Sequence, residues 1–129
     1  MPLPPYALAA PTFRFRHLAN LAGRAPIGGA REVALACFVA ARLAADRLSN
    51  TTTETTSRAG RCAGAKAWLG TLALPATVRT PLTRCADASV DGTRAAVGRE
   101  VSALATAASG FLDAASRAEL EALAGSLKG

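Results

Sequence analysis

Apolar residues recur every three or four positions along most of the chain, which is the spacing of helices that bury one face. The pattern predicts six helices, over residues 13–22, 30–48, 58–74, 81–88, 93–113 and 116–127. The first segment is ambiguous, because the alternation of apolar and charged residues in Phe13-Arg14-Phe15-Arg16 also fits a short β-strand. We interpret it as helix. We therefore expect an all-α fold, a compact bundle of five or six helices.

Helix 30–48 is apolar around nearly its whole circumference. Val33, Cys37 and Ala44 lie on one stripe, and Leu35 and Phe38 lie on other sides. A helix that is apolar on all sides is buried on all sides. We expect it to form the centre of the bundle or part of a subunit interface, with helix 93–113 packed along it.

Small residues line one side of helix 58–74. Gly60, Gly64, Ala67 and Thr71 follow one another at spacings of four, three and four, which places them on one helix face. A glycine inside a helix costs about 1 kcal/mol relative to alanine. The glycines indicate either that another backbone approaches this face closely or that the composition has drifted without function.

The apolar stripe of helix 93–113 does not continue in phase into residues 116–127, so we predict a break between the two helices. Ser116 followed by Glu119 has the spacing of a capping box, in which the two side chains bond reciprocally to the first turn of the helix. Residues 1–12 hold four of the seven prolines and are predicted to form an extended arm that precedes a single helical domain over 13–129. Tyr6 and Leu8 are the residues of the arm that we expect to anchor it.

The composition agrees with helices and adds an uneven charge distribution. Half of the residues are hydrophobic and roughly a quarter are alanine, the residue with the highest helix propensity. The formal net charge is +6, and residues 1–86 hold eleven of the 15 basic side chains but only three of the 9 acidic ones. Such a basic region can bind a polyanion or an acidic protein face. A GC-rich coding bias explains the thirteen arginines equally well.

The reactive side chains form no recognisable site. Cys37, Cys62 and Cys85 are far apart in sequence and lie on or beside the apolar sides of their helices, so we interpret them as buried thiols. His17 is the only histidine, and no nucleophile elbow or phosphate-binding motif is present. We expect no metal, no cofactor and no catalysis.

Two functions remain open from the sequence. The first is a non-catalytic helical interaction module, self-associating or part of a larger protein assembly, whose contacts include Tyr6, Leu8, Gly60, Gly64, Ala67 and Thr71. The alternative is a nucleic-acid-binding regulator that uses the basic first two-thirds of the chain, where Phe13, Arg14 and Arg16 interleave rings with positive charge. No apolar run is long enough to span a membrane and no secretion signal is present, so we expect a cytoplasmic protein without membrane partners.

Overall fold

The computed structural model describes residues 15–24, 29–48 and 55–128, and all of its regular elements are helical. They are α1 (Arg16–Arg24), α2 (Gly29–Ala45), α3 (Thr55–Leu69), α4 (Ala76–Asp91), α5 (Arg94–Ala107) and α6 (Ala114–Lys128), with a 3-10 turn at Asp46–Leu48. Over these residues the prediction of an all-α bundle is confirmed. The predicted arm, with Tyr6 and Leu8, lies outside the described residues, as do Phe13 and Arg14.

Helix α2 lies at the centre of the bundle, as its all-round apolar character predicts. Every residue from Ala36 to Ala41 is buried, together with Val33, Ala34, Leu43 and Ala44. The helix contacts each of the other five helices. Most of the large core side chains that surround it are leucines and valines. Within the described part of the chain, one aromatic pair contributes to this core, Phe15 against Phe38, edge to face with ring centroids 6.4 Å apart.

Helices α5 and α6 form the most extensive pair in the bundle, and the pair α4–α5 is the next. The contact of α5 with the central helix is small, so the prediction that helix 93–113 packs along α2 is only partly right. A buried glycine, Gly98, lets α5 and α6 approach closely. A Cβ atom at this position would lie 3.0 Å from the carbonyl oxygen of Ala124 and 2.9 Å from Cγ of Lys128.

Several helix limits differ from those that the sequence pattern predicts. Helix α3 begins at Thr55, three residues before the predicted start at residue 58, and ends at Leu69 rather than at residue 74. The Arg79 guanidinium donates to the carbonyl oxygens of Leu69 and Leu72, at 3.3 and 2.7 Å, and so satisfies acceptors at the end of α3. Helix α4 begins at Ala76, so Pro81 lies inside it instead of at its first position.

The break between α5 and α6 occurs over residues 108–113, in the region where the change of phase required one. The residue that caps α6 is Asp113, whose Oδ1 accepts the backbone N–H of Ser116 at 2.8 Å. Ser116 is therefore the third residue of α6 and not its cap, and its buried hydroxyl has no hydrogen-bond partner among the described residues. The predicted capping box does not form.

Candidate functional surfaces

The outer face of α3 is exposed and built from small residues. Gly60, Ala63, Gly64 and Ala67 all face solvent over two turns of the helix. A Cβ atom added at Gly60 or Gly64 would meet nothing within 4 Å in the described part of the chain. The close packing that these glycines permit is therefore not used between the described helices.

Thr71, the fourth member of the predicted small-residue face, lies in the turn that follows α3 and not on the helix. Its hydroxyl donates to the carbonyl oxygen of Trp68 at 2.6 Å. The structure thus shortens the predicted face to Gly60, Gly64 and Ala67. Ala63 lies beside them and was not singled out by the four-three-four spacing.

The other side of α3 is held to the bundle by polar contacts as well as by apolar ones. Arg61 forms an ion pair with Asp46 at 2.6 Å, and Lys66 forms one with Asp87 at 3.0 Å. These contacts engage two of the basic residues from which we predicted a polyanion-binding surface. Positive charge on α3 therefore serves in part to attach the helix to its neighbours.

A groove of about 420 Å³ lies between α1 and α6. It is lined by His17, Ala115, Ala118, Glu119, Ala122 and Leu123. The Glu119 carboxylate, predicted to cap its own helix, instead accepts the backbone N–H groups of His17 and Leu18, each at 2.9 Å. A negative charge at the N-terminus of α1 complements the helix dipole, so Glu119 fixes the position of α1 on α6.

The basic and aromatic residues at the start of α1 divide between core and solvent. Phe15 is completely buried against α2, whereas Arg16 is exposed. Phe15 is therefore a core side chain and presents no ring on which a nucleotide base can stack. Of Phe13, Arg14 and Arg16, which were proposed for nucleic-acid contact, Arg16 alone lies within the described residues, and it is exposed.

The three cysteines are free buried thiols, as the sequence predicts. Burial raises the pKa of Cys85 to about 12, with Glu100 adding to the shift. The pKa of Cys37 is also raised by burial and by the neighbouring Cys85. The Sγ atom of Cys62, on α3, lies 3.8 Å from Oδ1 of Asp87, on α4. Burial raises the pKa of the Cys62 thiol, and the Asp87 carboxylate raises it further.

Among the described residues, no three His, Cys, Asp or Glu side chains are grouped so that they could bind a metal ion. In the same part of the chain, every helix is too short or too polar to cross a membrane. Comparison of the chain with protein-family models, with curated proteins and with solved structures finds no match in any of the three. The surfaces themselves thus carry the functional argument.

Proposed function

We propose that this protein is a non-catalytic helical interaction module whose contact surface is the outer face of α3. The observation that supports the proposal is the pair of exposed glycines, Gly60 and Gly64, inside a regular helix. Each lowers helix stability by about 1 kcal/mol relative to alanine. No side chain of the described residues lies against either glycine to offset that cost.

A partner helix would supply the missing contact. Without side chains at Gly60 and Gly64, a second backbone can approach closely, and Ala63 and Ala67 add apolar area beside them. The face is also uncharged, so a partner helix can cover it without desolvating an ion. The partner that we test first is a second copy of this chain, because a two-fold axis would place the same small-residue face on both sides of the contact.

The size of the face sets the expected affinity. A 15-residue helix is about 22 Å long, so one face of α3 offers less area than the roughly 800 Å² per partner of a standard stable interface. We therefore expect micromolar association, detectable by sedimentation velocity over a range from about 5 to about 500 µM.

A leucine at position 64 provides the test. Gly64→Leu places a bulky side chain on the proposed contact and is expected to raise the dissociation constant at least about tenfold, which corresponds to about 1.4 kcal/mol. The matched control is Gly125→Leu, since Gly125 is an exposed glycine inside α6 whose added Cβ would also meet nothing within 4 Å. The control is expected to leave association unchanged.

Two results would contradict the proposal. One is self-association of the parent chain and of Gly64→Leu with the same dissociation constant. The other is a chain that stays monomeric throughout the concentration range and recovers the same proteins from its host with and without the substitution. A monomer that recovers a protein which Gly64→Leu loses would support the same face with a different partner.

A further inference from the structure

The groove between α1 and α6 has an apolar wall. Ala115, Ala118 and Ala122 line it along two turns of α6, and all three are exposed within the described part of the chain. The Glu119 carboxylate also lies in the lining, and both of its oxygens already accept backbone N–H groups of α1. The groove therefore offers an occupant mainly methyl groups, which suits an uncharged, apolar segment.

The chain itself supplies such a segment beside the groove. His17, at the start of α1, lines the groove, and the proline-rich arm of residues 1–12 precedes this helix in the sequence. The arm has no charged side chain, and Tyr6 and Leu8 are among its apolar residues. Covering the groove with this segment would bury apolar area on both sides of the contact without burying an ion.

The length of the arm matches the length of the groove. The wall from Ala115 to Ala122 is about 10 Å long, at a rise of about 1.5 Å per residue. A proline-rich segment in the extended polyproline conformation rises about 3.1 Å per residue, so residues 6–10 would span about 12 Å. Residues 11–14 would add about 12 Å, which is enough to connect such a segment to Phe15 at the start of the described chain.

We propose that residues 6–10 dock in the groove between α1 and α6, with Tyr6 and Leu8 covering Ala118 and Ala122. Because arm and groove belong to one chain, the effective concentration of the arm at the groove is on the order of millimolar, and a weak contact suffices. The prolines of the arm reduce the number of conformations that the undocked segment can adopt, so docking costs less entropy. The groove belongs to α1 and α6, and not to α3, whose outer face is the proposed contact surface.

The docking can be measured through Tyr6, because it is the single tyrosine of the chain and its ring protons do not overlap with those of another tyrosine. The experiment is nuclear Overhauser spectroscopy of the full chain. The expected result is cross-peaks from the Tyr6 ring and the Leu8 methyl groups to the methyl groups of Ala118 and Ala122. A mixture of isotope-labelled and unlabelled chains distinguishes contacts within one chain from contacts between two copies.

Ala118→Gln places a longer, polar side chain in the groove and leaves the charge of α6 unchanged. It is expected to weaken the cross-peaks between the arm and Ala122 at least about twofold, because the amide loses hydration when the arm covers it. Ala103→Gln is the matched control, since Ala103 is an exposed alanine inside α5 that does not line the groove, and it is expected to leave the cross-peaks unchanged. The proposal is overturned if the parent chain shows no cross-peak between arm and groove, if the cross-peaks arise only between different chains, or if both substitutions weaken them equally.

Discussion

The contact between α5 and α6 gives the sharpest test of the structure, because it depends on the absence of one side chain. Gly98 is buried in the middle of α5, and a methyl group there would meet Ala124 and Lys128 of α6 at 3.0 and 2.9 Å. Cβ of Leu127 is the next atom, at 3.3 Å. Gly98→Ala therefore forces the two helices apart or displaces the end of α6.

The expected magnitude follows from two opposing effects. Alanine gains about 1 kcal/mol over glycine inside a helix. Overfilling a packed contact costs about 1–3 kcal/mol, and the Ala124 carbonyl belongs to backbone that cannot turn aside as a side chain can. We expect Gly98→Ala to lower the free energy of unfolding by about 1 kcal/mol, with the packing cost exceeding the gain in propensity.

The control is the same substitution on the other helix of the pair. Gly125 lies inside α6, and an added Cβ there would meet open space. Gly125→Ala should therefore raise the free energy of unfolding by about 1 kcal/mol, so that the two variants differ by about 2 kcal/mol in urea denaturation followed by circular dichroism. If Gly98→Ala stabilises the protein as much as Gly125→Ala does, the close approach of α5 and α6 is wrong.

Three further results are expected from the same denaturation assay. Glu119→Gln, which removes the charge at the N-terminus of α1, should cost about 1–2 kcal/mol, whereas Glu121→Gln in the exposed pair with Arg117 should cost less than about 0.5 kcal/mol. Ser116→Ala should stabilise the protein by about 1 kcal/mol because it removes a buried hydroxyl without a partner, and a loss of stability would show that the hydroxyl is bonded. The pKa of Cys85 is raised from 9.0 to about 12 in the folded state, so its contribution to stability is full below about pH 9 and decreases as the pH rises towards 12. Comparison of the parent chain with Cys85→Ala between about pH 8 and about pH 10.5 checks this, and equal pH dependence of the two would contradict it.

The sequence predicted best where a helix is surrounded by the same kind of environment along its length. Helix α2 is apolar around nearly its whole circumference, so its central position follows from its own residues. The end of α3 did not follow in this way, because the carbonyl group of its last residue, Leu69, is bonded by Arg79, ten residues further along the chain. A contact of that kind leaves no periodic signal in the sequence.

The sequence also does not show which glycine allows close helix packing. Gly64 and Gly98 both lie inside helices, and the sequence suggested close packing at Gly64, whereas the structure has it at Gly98. The difference is made by α6, which covers one glycine and not the other. Glu119 is a parallel case, because a spacing of three from Ser116 predicted a local cap and the carboxylate instead binds α1, about a hundred residues away.

The attachment of α3 explains why its outer face is a reasonable place for a partner. Of the side chains described on this helix, those that are buried are Cys62, Ala65 and Leu69, and two of these are small. The ion pairs of Arg61 and Lys66 add little, since both are partly exposed and such pairs contribute at most about 1 kcal/mol each. A helix with so small an inner contact opens at a lower free energy than the core around α2. Binding at the outer face would favour the closed, helical form of α3, so a weak partner there would stabilise the element that the intramolecular core supports least well.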